Sequence, residues 1–231
     1  MQQTGAPSML FVCRANVCRS AVAEFVASER SSESGLHIAS AGTDAVPGQE
    51  ICPQAEALVA EQPKGRDFAR AHRSTRLTPT LTSGSALIVT ATPRERSAVA
   101  RMDPAARPRT FTMVELDRLL SVLASTSGPI DLATLVAQLH GIRWQAASEH
   151  WNPPTRFDLE ALKPRRAVHG LSLVDAHVSR SSNHAAVVKA SRSLTFTITD
   201  HVLARIEARG TGSRDRRDQD PPGSPRTRHA G

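Results

Sequence analysis

Short apolar runs alternate along this chain with longer stretches whose apolar residues recur every three or four positions. Met9-Leu-Phe-Val12, Leu36-His-Ile-Ala39, Ala86-Leu-Ile-Val-Thr90 and Arg109 to Met113 are the short runs, each of strand length. Ser20 to Arg30 carries Val22, Phe25 and Val26 at helical spacing, and Pro53 to Glu61, Thr92 to Arg101 and Val114 to Leu123 also read as helices. Proline is tolerated in a first helical turn, which suits Pro53, and Thr92 before Pro93 reads as an N-cap followed by the first helical residue. Apolar strand runs separated by amphipathic helices are the pattern of a buried parallel sheet. The succession predicts an α/β fold: a four-stranded parallel sheet with helices on both faces. Ile130 to Trp144 reads as helical, and Trp151 to Arg166, with Pro153, Pro154 and Pro164, as loop. His184 to Arg209 reads as a closing helix, although Thr195, Thr197 and Thr199 in alternation leave a strand open.

Composition sets the outer bounds. The 231 residues, 39% of them apolar, suffice for a substantial core. Gly210 to Gly231 holds no large apolar residue and cannot offset its ordering entropy, so it reads as a disordered tail after a domain spanning 1–209. No run approaches the roughly 18 apolar residues of a membrane span, so no membrane insertion is expected. Met1 to Ser8 lacks the basic-then-apolar order of a secretory signal. Three cysteines are too few for a disulfide scaffold or an all-thiolate zinc site, which makes a reducing, cytoplasmic location the default. The net charge is +7, almost all of the basic excess being arginine. The tail mixes five arginines with three aspartates, a poor polyanion-binding arm. Tyrosine is absent and aromatics make up 3%, which leaves few stacking platforms, so no specific nucleic-acid partner is expected.

The chemistry concentrates in Phe11-Val-Cys-Arg-Ala-Asn-Val-Cys-Arg-Ser20, where the first strand gives way to the first helix. A helix start offers unpaired N–H groups and the positive end of its dipole, and a loop wrapped there can cradle a tetrahedral oxyanion. Cys13 ends the strand and Arg19, six residues on, opens the helix. A tight loop lets thiol and guanidinium address one bound anion, the guanidinium as a planar fork for two phosphate oxygens. Loop amides and Arg19 together favour a thiolate at Cys13, and Ser20 can donate its hydroxyl to that sulfur.

This segment resembles the phosphate loop of low-molecular-weight protein tyrosine phosphatases, Cys-x-Gly-Asn-x-Cys-Arg-Ser-Pro. Ser40-Ala-Gly-Thr43, His72-Arg-Ser, Leu87-Ile-Val-Thr-Ala-Thr and Arg109-Thr-Phe-Thr-Met-Val-Glu115 are similar to later segments of that family, and the likeness runs from about Met9 to Leu120, then loosely to Arg209. It implies a phosphomonoester hydrolase in which Cys13 forms a cysteinyl-phosphate. Arg19 and the backbone of Arg14, Ala15, Asn16, Val17 and Cys18, with Ser20, would hold the phosphoryl oxygens. Asn16 would fix the loop, with Ser40 and His72 as its hydrogen-bond partners. A carboxylic acid would protonate the leaving group and then activate water; no metal and no cofactor is called for.

The resemblance places that acid in an Asp-Pro pair shortly before the last helix. Asp103-Pro104 lies too early and Asp220-Pro221 too late, in the tail; Asp175 stands at the expected place, followed by Ala176 in place of proline. Asp175 is therefore the candidate. Ala15 stands where the family has glycine, and Ala21 where it has proline. His177 takes a position that often carries an aromatic rim residue. The chain between the fourth strand and Asp175 is longer than a compact member needs, which predicts a helical insertion at about 124–170 before the last helix, capping the cleft and using Trp144 and Trp151 as packing residues. Cys18 reads either as a disulfide partner for Cys13 under oxidation or as a small packing residue, and Cys52 as structural. The implied substrate is a phosphorylated protein, at tyrosine, or a small phosphate ester. Two further readings stay open: an arsenate reductase using an external small thiol, and a non-catalytic phosphate-binding regulator.

Overall fold

The structure, a computed structural model, describes residues 8–123, 128–150, 167–177 and 183–206, with backbone alone for 145–150. In chain order these form β1 (Ser8–Cys13), α1 (Arg19–Arg30), β2 (His37–Gly42), α2 (Pro53–Val59), α3 (Gly65–Ala71), α4 (Pro79–Ser83), β3 (Leu87–Thr90) and α5 (Pro93–Met102). A 3-10 segment (Pro104–Arg109) leads into β4 (Thr110–Thr112), followed by α6 (Met113–Val122), α7 (Leu132–His150), β5 (Val168–His169), β6 (Ser172–Leu173) and α8 (His184–Leu203). The expected tail and the Trp151 to Arg166 loop, Trp151 included, lie outside the described residues.

The four main strands are parallel, as the alternation of runs predicts, and they lie in the order β2-β1-β3-β4. Successive side chains leave a strand on opposite faces. Met9, Phe11, Leu87, Val89 and Phe111 face one side, where they pack with Ala23 and Ala27 of α1, Leu116 and Leu119 of α6, and Ile198 and Val202 of α8. Leu10, Val12 and Ile88 face the other, against Leu77, Val99 and Ala106. Helices therefore cover both faces. The chain leaves β1 for one neighbour, β2, while β3 lies on its other side. Such a switch opens a crevice at the carboxyl ends of the strands, and Cys13 paired with Gly42 stands there.

The threonine alternation near the C-terminus resolves as helix. Thr195 and Thr199 are buried and Thr197 is exposed, with Val187, Val188, Ser191, Ile198 and Val202 completing one buried stripe of α8. α7 enters the main core through Leu132, Leu135, Val136 and Leu139. Arg143 lies over the Phe111 ring at 4.1 Å, donates to the Thr110 carbonyl at 2.7 Å, and pairs with Glu115 at 2.9 Å. Trp144 does not pack as expected: it is 84% exposed, because the stripe that meets the core is aliphatic.

α3, α4 and the β5–β6 hairpin carry no clear signal in the sequence because each is shorter than two helical turns or a full strand. α6 does carry one. Thr112 and Glu115 form a reciprocal capping box, and Glu115 then also binds Arg96 at 2.7 Å. Among the described residues no helix is long and apolar enough to cross a membrane.

Candidate active site

The loop between β1 and α1 is shaped by one residue in the left-handed region, Asn16 at φ 57. Asparagine tolerates that conformation better than most residues. Ala15, which stands where the resembling family has glycine, takes no positive φ, so its side chain meets no backbone penalty there. Among the described residues, the N–H groups of Arg14, Ala15, Val17, Cys18 and Arg19 have no hydrogen-bond partner, while that of Asn16 donates to Cys13 Sγ at 3.3 Å. Cys18 is the N-cap of α1 without a side-chain cap, and the first turn has no acidic residue. The helix start is thus left to an outside anion.

Asn16 is fully buried and uses its whole side chain. Its Nδ2 donates to Ser20 Oγ at 3.0 Å and to Ser40 Oγ at 2.6 Å, and its Oδ1 accepts from the Thr75 N–H at 2.7 Å. The Thr75 amide can only donate, which fixes which end of the Asn16 amide is oxygen. Ser20 Oγ, already accepting from Asn16, lies 3.0 Å from Cys13 Sγ and 3.4 Å from the Ala41 carbonyl, the two acceptors within reach of its single proton. Ser40 passes its proton on to Glu24 Oε2 at 2.6 Å. His72, expected as a partner of Asn16, is buried and reaches the backbone: its Nε2 donates to the Asn16 carbonyl at 2.8 Å, while Nδ1 faces Glu24 at 3.7 Å. Burial pushes the Glu24 carboxyl above its ordinary range, against the pull of Ser40 and His72.

The Ser40-Ala-Gly-Thr43 segment buttresses the loop from behind. The N–H groups of Thr43 and Asp44 donate to the carbonyls of Cys13 and Arg14 at 3.0 and 2.8 Å. A Cβ on Gly42 would lie 2.6 Å from the Arg14 carbonyl oxygen, so only glycine lets the two backbones approach this closely.

Arg19 is 2% exposed. Its Nη1 donates to the Leu173 carbonyl at 3.0 Å and its Nη2 pairs with Asp175 at 2.9 Å. Burial works against its charge, but Cys13, Asp175 and Glu95 outweigh burial and raise its pKa. Asp175 follows β6, whose Leu173 is buried and donates its N–H to the Ala91 carbonyl at 2.9 Å. Gly170, at φ 59, turns the hairpin that delivers the loop. Asp103, the earlier aspartate of an Asp-Pro pair, pairs with Arg109 at 3.0 Å at the amino end of β4, the opposite end of the sheet. Cys13, Ser20, Asn16, Ser40 and His72 thus form one hydrogen-bonded cluster, and the Arg19–Asp175 pair is coupled to it through the charges of Arg19 and Cys13.

Cys18 and Cys52 are both buried in the apolar cluster of α1 and α2, as packing residues are, and both also face His184. Cys18 Sγ lies 3.2 Å and Cys52 Sγ 3.6 Å from His184 Nε2, and His177 stacks edge-on against His184 at 4.4 Å. The proximity of the two thiols makes Cys52 the more acidic one and, together with burial, pushes Cys18 up.

The family model for the low molecular weight phosphotyrosine protein phosphatases matches residues 8–120. That segment belongs to this family. The chain is accordingly a phosphatase acting on phosphorylated substrates, with its cysteine-bearing loop inside the matched segment and Asp175 beyond it. Three solved structures are similar. The tyrosine phosphatase AmsI of Erwinia amylovora shares 22% identity over 64% of this chain and 93% of its own, with a TM-score of 0.43. The YwlE arginine phosphatase of Geobacillus stearothermophilus shares 26% over 64% and 99%, also at 0.43. The tyrosine phosphatase Wzb of Escherichia coli K30 shares 20% over 62% and 94%, at 0.42. At these TM-scores the likeness carries nothing about substrate. No curated protein matches the sequence.

Proposed function

We propose that this phosphatase hydrolyses aryl phosphate esters, phosphotyrosine in proteins foremost, through Cys13, Arg19 and Asp175. The single observation that supports the reading is a loop whose Asn16 amide meets the Cys13 sulfur while the amides of Arg14, Ala15, Val17, Cys18 and Arg19 have no partner among the described residues, with a buried Arg19 guanidinium that feels the charge of that sulfur. Such fixed donors stabilise charge that spreads over equatorial phosphoryl oxygens without reorganising. Cys13 Sγ attacks phosphorus as a thiolate, its charge eased by the Asn16 amide and Ser20 hydroxyl. The sulfur–phosphorus bond forms as the phosphorus–oxygen ester bond breaks, and the ester oxygen takes the proton of Asp175. Asp175, now a carboxylate, removes a proton from water. That water attacks phosphorus, and sulfur leaves as thiolate with inorganic phosphate as product. Without substrate the Asp175 carboxylate occupies Arg19; an incoming phosphoryl group takes over the guanidinium, and the freed carboxylate takes up a proton from solvent or from the entering monoester before it faces the ester oxygen.

The three unpaired thiols support action in a reducing, cytoplasmic compartment. Asp175→Asn tests the acid role. It should lower kcat for phenyl phosphate by about 10²–10³-fold, and by much less for an ester whose leaving group needs no proton. Equal losses on both esters, or none, would move the acid elsewhere.

A further inference from the structure

Cys18, Cys52, His177 and His184 converge from four parts of the fold, and the phosphatase reading uses none of their side chains. Cys18 caps α1, and Cys52, whose N–H is tied to the Val17 carbonyl at 2.7 Å, caps α2. His177 follows the turn in which Asp175 accepts from its N–H at 3.1 Å, and His184 opens α8. Each offers one donor atom, and the donor atoms all lie within 4.8 Å of one another.

We propose that Cys18 Sγ, Cys52 Sγ and one ring nitrogen each of His177 and His184 form a tetrahedral site for a soft divalent cation, zinc fitting best. Bonds of about 2.3 Å to sulfur and about 2.0–2.1 Å to nitrogen put tetrahedral donors roughly 3.4–3.8 Å apart. Of the two sulfur–nitrogen separations to His184, the 3.6 Å from Cys52 has that spacing and the 3.2 Å from Cys18 is a few tenths of an ångström shorter. Two thiolates and two neutral imidazoles are a donor set that favours zinc over magnesium or calcium, and two thiolate charges neutralise one dication on the buried, thiolate side of the site. Four protein ligands leave no open position, which makes the ion a clamp and not a Lewis acid. It joins the phosphate loop, α2 and α8 to the turn that carries Asp175. The inference stands whether or not the phosphatase reading holds.

Cobalt titration of the reduced, metal-free full chain tests it. One equivalent should give the intense visible bands of tetrahedral cobalt and a thiolate charge-transfer band, and zinc should displace it. His177→Ala, at an exposed position that leaves the core untouched, should weaken zinc by about 10-fold or more in chelator competition. Cys52→Ser and His184→Ala, checked for fold by circular dichroism, should lose the thiolate band's intensity and the tetrahedral spectrum respectively. Cys13→Ser should keep both. An octahedral cobalt spectrum, zinc affinity unchanged in His177→Ala, or binding lost in Cys13→Ser would overturn the site.

Discussion

A single side chain, Asn16, holds the phosphate loop together. It supplies the left-handed turn, orients Ser20 toward sulfur, and hands a hydrogen bond through Ser40 to Glu24. Glu24 is the titratable end of this chain of bonds, and its raised pKa has a signed consequence. The folded protein holds the Glu24 proton more tightly than the unfolded chain does. As pH rises from about 4, the unfolded state ionises first and folding stability falls until the folded-state carboxyl has also ionised. Glu24→Gln removes that titration while keeping an acceptor for Ser40. Urea unfolding at stepped pH should therefore show the variant gaining stability relative to the parent from about pH 4 upward, with no change in the difference below it. A difference that shrinks with rising pH would contradict the assignment of burial as the dominant cause.

Among elements, the unit that matters is β1, its loop and α1, braced by the carboxyl end of β2. Gly42→Ala should push the Arg14 carbonyl outward, since the added Cβ would meet it at 2.6 Å. Overpacking of this kind costs about 1–3 kcal/mol. Displacing the loop amides by an ångström should lower kcat/KM by about 10²-fold. Steady-state kinetics and denaturant titration read the two effects separately, and unchanged kinetics would show that the loop does not depend on this brace. This unit was legible in sequence because its chemistry is local: nucleophile, guanidinium and hydroxyl lie between positions 13 and 20. Asp175 was legible only through the family pattern. The hairpin that delivers it has two-residue strands, too short for any periodicity. Cys52, His177 and His184 as partners of Cys18 were not legible at all. Their meeting depends on how α2, the acid turn and α8 pack around the loop, and no spacing along the chain encodes that.

For the whole molecule, the family match ends at residue 120, yet the core does not. α7 and α8 contribute to the same apolar cluster as β1, β3 and α6, so these two helices, beyond the matched segment, complete the fold. Leu135, fully buried, measures this. Leu135→Ala should cost about 2–5 kcal/mol in urea unfolding, with the kcat of the folded protein unchanged. A loss under about 1 kcal/mol, the range of a surface change, would make α7 an appendage. The parallel sheet and the helices on both faces agree with the strand–helix alternation. The alternation does not convey the role of α7, whose buried stripe is aliphatic while its tryptophan faces solvent.

The most direct measurement is to trap the reaction by rapid acid quench with a phosphorus-labelled aryl ester and to locate the label. Label on the sulfur of Cys13, up to one per chain, present in the parent and gone in Cys13→Ser together with a roughly 10⁴-fold or greater loss of turnover, is the predicted result. Turnover that survives in Cys13→Ser, or label recovered on another residue, would contradict the account.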